Sequence, residues 1–156
     1  MNIFVEEHQD IIKLLLKCEV DFLLIGGYAV IYHGYRRNTG DLDLWLKPSN
    51  SNKEKFVKAL KEADFNDRTL NGVSELNFEG TLMFTLGEEP QKIDFLTRIS
   101  GLEYEDAEKN KVVGDIDGMR VPVVHMNDLV IAKLSTGRQK DKLDIEELQK
   151  IAKNKK

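Results

Sequence analysis

The chain has 156 residues, of which 41% are hydrophobic and 32% are charged, and its formal net charge is −4 at pH 7. This length favours a single domain, residues 1–156, and the composition excludes the fibrous and disordered classes. The sequence pI near 5.5 disfavours a protein that holds nucleic acid through its overall charge. With one cysteine, no apolar run of membrane length and no basic leader, the chain is expected to be cytoplasmic.

The first third of the chain predicts a helix, a strand, a second helix and a second strand. Apolar residues recur at helical spacing over residues 6–17, which is typical of an amphipathic helix. The apolar run at 22–25 ends in Gly26-Gly27 and indicates a buried strand followed by a sharp turn. A short helix at 28–34 and a strand at 41–46 follow.

The remainder of the chain predicts further strands and helices in alternation. A surface helix is expected at 52–63, and Asn127 is expected to cap a helix at 128–135. The other predicted elements are strands at 76–78, 81–86 and 92–98, a helix at 104–110, a hairpin about Asp117-Gly118, and a charged helix at 138–156. Together these elements predict an α+β protein with a mixed β-sheet flanked by helices.

Three aspartates and a glycine turn are the candidate chemistry of the chain. Asp41 and Asp43 are two residues apart on a predicted strand, so their side chains share one face. Asp94 lies on a later strand that is able to pair alongside. The turn at Gly26-Gly27 matches neither of the glycine-rich nucleotide fingerprints, GxGxxG and GxxxxGK[ST]. Taken singly, each feature also fits a plain turn or a solvated strand face.

The ordered set of motifs resembles a known family. The run IGGYAVIYHGYRRNTGDLDLWL, followed later by KIDFL, resembles the polymerase-β-like nucleotidyltransferase superfamily. The R-x-T-x-D-L-D form and the later run LVIAKLSTGRQKDKLDIEEL look like a bacterial branch that includes small single-domain proteins and abortive-infection nucleotidyltransferase toxins. The resemblance extends from about Phe22 to Leu148, and it implies the nucleotidyltransferase fold.

The resemblance also implies a reaction and its cofactors. Asp41, Asp43 and Asp94 would be catalytic residues that bind two Mg²⁺ ions, with Asp94 also accepting a proton from the attacking hydroxyl. A nucleoside triphosphate, with ATP among the candidates, would donate its NMP group to a hydroxyl of an acceptor. The nucleotide would be held by residues from three segments, Gly26, Gly27, Arg37, Thr39 and Lys133.

Several alternatives remain open at this level. Arg37 also fits an ion pair with an acid, Lys133 an exposed lysine, and Trp45 either core packing or stacking on a nucleobase. Asp141 and Asp144 fall on one helical face within reach of Arg138 and Lys140, which favours a structural group.

The acceptor, whether a small molecule, tRNA or a protein, is not indicated by the sequence. A partner protein or a second copy in a homodimer would close an open site. The alternative function is a non-catalytic binding or regulatory module of a toxin–antitoxin-type pair. No membrane partner is expected.

Overall fold

The computed structural model describes residues 1–155, which form seven helices and six strands. The helices are α1 (Glu6–Lys17), α2 (Gly26–Tyr32), α3 (Asn50–Glu62), α4 (Asp67–Ser74), α5 (Tyr104–Asn110), α6 (Met126–Leu134) and α7 (Gln139–Asn154). The strands are β1 (Phe22–Ile25), β2 (Leu42–Leu46), β3 (Met83–Leu86), β4 (Ile93–Leu96), β5 (Val112–Ile116) and β6 (Met119–Val123).

All six strands belong to one mixed sheet in the order β3-β4-β2-β1-β6-β5. The pairs β1·β6 and β2·β4 are parallel, whereas β1·β2, β3·β4 and β5·β6 are antiparallel. The predicted α+β class with a mixed sheet and flanking helices is therefore confirmed. Within the described residues, no helix is both long and apolar enough to cross a bilayer.

The centre of the sheet is apolar because β1 and β2 are covered by helices. All four residues of β1 are buried, as expected for a strand without polar alternation. Trp45 on β2 is fully buried, its indole nitrogen donates to the Thr97 carbonyl over 2.9 Å, and its ring packs edge-on against Tyr104. Trp45 is thus a core residue, and the stacking alternative does not apply in this structure.

Three local predictions differ from the structure. Residues 76–78 lie in a turn region rather than a strand, and α4, which precedes them, was not predicted. The cap of α6 is His125, whose Nδ1 accepts from the Asn127 amide over 3.0 Å, and not Asn127 itself. The last helix begins at Gln139, one residue after its predicted start, because Arg138 is its N-cap, and the predicted final residue, Lys156, lies outside the described residues.

Candidate active site

Strand pairing brings the predicted acids together beside the glycine turn. In the parallel pair of β2 and β4, Asp43 lies directly opposite Asp94. In the antiparallel pair of β1 and β2, Ile25 lies opposite Asp43, so the turn at Gly26 adjoins that carboxylate. Asp41 immediately precedes β2. The expected juxtaposition of glycines and acids is therefore present.

The two glycines are required by what packs against them. Gly26 has a φ of +69°, and a Cβ added there would overlap the Asp43 carboxylate and lie 2.8 Å from the Asp43 Cβ. A Cβ on Gly27 would lie 2.5 Å from the Thr39 hydroxyl. Real Cβ atoms need more room than this. The turn thus gives Asp43 and Thr39 their places beside the backbone of α2.

The carboxyl group of Asp43 has a strongly raised pKa. Burial, then the negative charges of Asp94 and Asp41, raise the pKa of Asp43 to about 7. Lys133 acts in the opposite direction and lowers this pKa. A raised carboxyl pKa beside a second acid is the signature of a group whose charge is incompletely compensated.

Asp94 is buried, and its two oxygens have different partners. The Thr85 hydroxyl on β3 donates to Asp94 Oδ1 over 2.5 Å. Asp94 Oδ2 lies 3.7 Å from the ammonium of Lys92. The strand pair β3·β4 therefore satisfies one oxygen by a hydrogen bond and leaves the other to a cation.

Lys92 was not among the predicted site residues. Its Nζ lies 3.7 Å from each of three carboxylates, those of Asp41, Glu89 and Asp94. These charges, with Asp94 first and Asp41 second, raise the pKa of Lys92. Lys92 and Asp94 are two residues apart, so alternation along the strand puts both side chains on one face. This spacing was the feature of the sequence from which Lys92 could have been predicted.

A second group of charges lies on the helical side of the site. Arg37 donates to both carboxylate oxygens of Asp144, over 2.8 and 2.9 Å. The ammonium of Lys133 lies 2.8 Å from Asp141 Oδ1 and 3.0 Å from Asp144 Oδ2. Arg138 completes the group through Asp141 Oδ2 at 2.7 Å. We call these five residues the cation cluster, since three cations face two carboxylates.

The cation cluster resolves the alternatives left by the sequence. Lys133 is only 6% exposed, so the exposed-lysine alternative is wrong. Arg37 pairs with the buried acid Asp144, and Arg138 pairs with Asp141 as expected for a structural group. Lys140 makes no ion pair with any residue in 1–155.

Hydrogen bonds within the cation cluster stabilise the ionised form of Asp141. Burial of Asp141 raises its pKa, but hydrogen bonds from Lys133 and Thr136 and the charge of Lys133 outweigh burial and hold that pKa at about 2. Asp141 is 1% exposed, so its charge depends on these partners. The acid is therefore ionised at any physiological pH.

A cleft of about 940 Å³ joins the acids to the cation cluster. Its polar lining comes from the turn after β1, the loop before β2, the strands β2 and β4, and the helices α6 and α7 with the loop between them. The lining includes Gly26, Gly27, Thr39, Asp43, Asp94 and Lys133. All the predicted nucleotide-binding positions, including Arg37, thus open on one cavity that also holds Asp41.

The acids suit a hard divalent cation by their chemistry. Carboxylate oxygens are the ligands that Mg²⁺ prefers, and the raised pKa of Asp43 indicates negative charge that a cation would compensate. Among residues 1–155, no three His, Cys, Asp or Glu side chains are arranged as ligands of a single ion. The three carboxylates therefore suit Mg²⁺ by their chemistry. In this structure the ammonium of Lys92 lies 3.7 Å from two of them, Asp41 and Asp94.

Comparison with protein-family models gives a match over nearly the whole chain. The family model described as "Nucleotidyl transferase of unknown function" (DUF2204) matches residues 5–156. No curated protein sequence matches the chain.

Two solved structures are similar in fold. The lincosamide antibiotic adenylyltransferase LnuA, bound to lincomycin, has a TM-score of 0.58 and 16% identity, with 97% of this chain and 99% of that chain covered. A protein described as a nucleotidyltransferase, from Thermotoga maritima, has a TM-score of 0.61 and 14% identity, with 96% of each chain covered. At these identities the similarity concerns the fold.

Proposed function

The chain belongs to this nucleotidyl transferase family, and we propose that it moves an NMP group from a nucleoside triphosphate to a hydroxyl group of an acceptor. The observation that carries the proposal is the pairing of Asp43 with Asp94 beside the Gly26-Gly27 turn. Three carboxylates on one side of a cleft and excess positive charge on the other suit a substrate that carries both metal ions and phosphates. Residues 1–156 would act as one nucleotidyltransferase domain.

We assign the metal-binding role to the three acids. Asp41 and Asp43 would hold two Mg²⁺ ions, and Asp94 would share in holding the one nearer the acceptor. When bound, Mg²⁺ would withdraw charge from the phosphate oxygens and lower the pKa of the acceptor hydroxyl. The chain supplies the carboxylates at fixed positions, because β2 and β4 hold their backbones in register.

Proton transfer falls to Asp94 in this proposal. The acceptor oxygen forms a bond to the α-phosphorus, the bond from that phosphorus to the bridging oxygen breaks, and pyrophosphate leaves with the bonding pair. The carboxylate of Asp94, whose Oδ1 already accepts from Thr85, would take the hydroxyl proton. A carboxylate is a sufficient base only for a hydroxyl that is already acidified.

The cation cluster would neutralise the triphosphate and the departing pyrophosphate. Arg37 and Lys133 line the cleft and are fixed by Asp144 and Asp141. The cluster keeps one positive charge in excess, and fixed cations stabilise developing phosphate charge without reorganising. Thr39 would donate its hydroxyl to a phosphate, while Gly26 and Gly27 would allow the phosphates close to the backbone.

The test is thermal stability with Mg²⁺ and each NTP, because a ligand that binds only the folded state raises the melting temperature. We expect a metal-dependent rise for one or more NTPs, and its loss in Asp41→Asn/Asp43→Asn. The matched control is Asp10→Asn/Asp115→Asn, which removes two exposed carboxylates that do not line the cleft and should keep the rise. No rise with any NTP would contradict the proposal and favour the binding-module alternative.

A further inference from the structure

We propose that Lys92 is a built-in counterion of the acids, and that it competes with the divalent cation for their oxygens. The inference rests on the metal site of the proposed function. Lys92 would thereby set how tightly the nucleotide-free protein binds metal, a role that is distinct from contact with substrate.

The contacts of Lys92 are those of a displaceable cation. Its Nζ lies 3.7 Å from Asp41 Oδ2, Glu89 Oε1 and Asp94 Oδ2, which is longer than a hydrogen bond to any of them. The attraction is therefore Coulombic and weakly directional. A lysine has a flexible four-carbon stem, so its ammonium is able to leave without a change in the backbone.

Lys92 and a metal ion would use the same oxygens. Asp94 Oδ1 is engaged by the Thr85 hydroxyl, so Oδ2 is the oxygen left for a cation, and Oδ2 is the atom that Lys92 contacts. Lys92 also contacts Asp41 Oδ2. Two positive ions at the same two oxygens repel each other, so binding of one disfavours binding of the other.

The side chain of Lys92 is placed to do this in the protein without ligand. It is 29% exposed and lies just before β4, on the same strand face as Asp94. The other nearby cation, Lys133, is 6% exposed and is held at 2.8 Å by Asp141. Of these two lysines, Lys92 is thus the one that lies near Asp41 and Asp94, is partly exposed and is not held by a short ion pair.

The experiment is a titration with Mn²⁺ alone, followed by the electron spin resonance signal of the free ion. We expect Lys92→Met to bind Mn²⁺ about five- to tenfold more tightly than the wild type, since a like charge is removed. Lys92→Arg, which keeps the charge, should stay within about twofold of the wild type. The control Lys13→Met removes an exposed lysine of α1 that does not line the cleft, and should change nothing.

Asp43→Asn separates this inference from the proposed function. If Asp43→Asn loses Mn²⁺ while Lys92→Met binds it no more tightly than the wild type, the role of Lys92 is overturned and the proposed metal site stands. If neither the wild type nor any variant binds Mn²⁺, with or without NTP, both the metal site and the role of Lys92 are overturned. Melting temperatures in chelator establish that each variant is folded.

Discussion

Gly26 differs from the other glycines with positive φ in what surrounds it. Gly26 and Gly118 have φ values of +69° and +79°, so both occupy the left-handed region that L-residues disfavour. A Cβ on Gly118 would meet nothing within 4 Å, whereas a Cβ on Gly26 would lie 2.8 Å from both Cβ and Cγ of Asp43. The turn is thus constrained by the acid as well as by the backbone.

This difference gives a matched pair of substitutions. Gly118→Ala should lower the free energy of unfolding by about 1 kcal/mol, the cost of the left-handed conformation alone. Gly26→Ala should lower it by roughly 3 kcal/mol, because overpacking against Asp43 is added. Urea denaturation measures both. Equal losses would mean that Asp43 moves aside freely, and that the turn does not fix its position.

Among the elements, the junction of α6 and α7 depends on buried ion pairs. Lys133 on α6 contacts both Asp141 and Asp144 on α7, and Arg37, which precedes β2, joins through Asp144. Each partner compensates a charge that would otherwise be buried alone. Removing one partner of a buried ion pair is strongly destabilising, because the other charge is left uncompensated. The helix pair and the loop before the acids therefore form one electrostatic unit.

Asp141→Asn tests this unit through its pH dependence. The pKa of Asp141 is lowered to about 2 from its ordinary value of 3.8, so its stabilisation is present above pH 3.8 and is lost as the pH falls through 2. We expect the variant to be about 2 kcal/mol less stable at pH 6. The difference from the wild type should shrink below about pH 4, as measured by urea denaturation across pH.

The exposed residue Asp10 on α1 provides the control. Asp10→Asn should leave the free energy of unfolding within about 0.5 kcal/mol at every pH. A deficit for Asp141→Asn that stayed constant down to pH 3 would assign its effect to shape or hydrogen bonding rather than to ionisation.

Elements with a clear hydrophobic period were predictable from the sequence. The helix Glu6–Lys17 has the expected bounds, because apolar spacing sets the buried face. The helix Asp67–Ser74 was missed since Val73 is its one buried residue, so it has no apolar stripe. Its signal was local, the cap in which Asn66 Oδ1 accepts from the Thr69 amide.

The candidate site was predictable in part, from strand alternation and from the order of the motifs. Alternation along a strand puts Asp41 and Asp43 on one face, whereas Asp94 and the residues expected to hold the nucleotide were found through the ordered set of motifs. The pairing of Arg37 with Asp144 joins residues 107 positions apart, and no local pattern encodes it. Lys92 was missed because its contact with Asp41 depends on the pairing of β2 with β4, although Glu89 and Asp94 lie within three residues of it.

At the scale of the whole molecule, α7 is attached to the core by a few buried side chains. Leu148 is fully buried, whereas Leu143 on the same helix is 48% exposed. Because α7 also carries Asp141 and Asp144, its packing supports the cation cluster. The stability of the fold and the organisation of the cleft are therefore linked through this helix.

Leu148→Ala should lower the free energy of unfolding by roughly 3 kcal/mol, through lost burial and a residual cavity. Leu143→Ala should cost less than about 1 kcal/mol, because its side chain is already half in water. Chemical denaturation with a single global transition is the measurement. Similar losses at both positions would show that α7 is not anchored at Leu148.

The pairing of Asp43 with Asp94 also has a consequence for the synthesis of the protein on the ribosome. Parallel strands are never closed by a tight turn, and here the whole segment from Lys47 to Lys92, with α3, α4 and β3, is inserted between the two acid-bearing strands. While the ribosome has released β2 but not β4, the nascent chain therefore contains Asp41 and Asp43 but not Asp94 beside them. The proposed metal site would therefore form only when β4 has paired with β2 in the completed sheet.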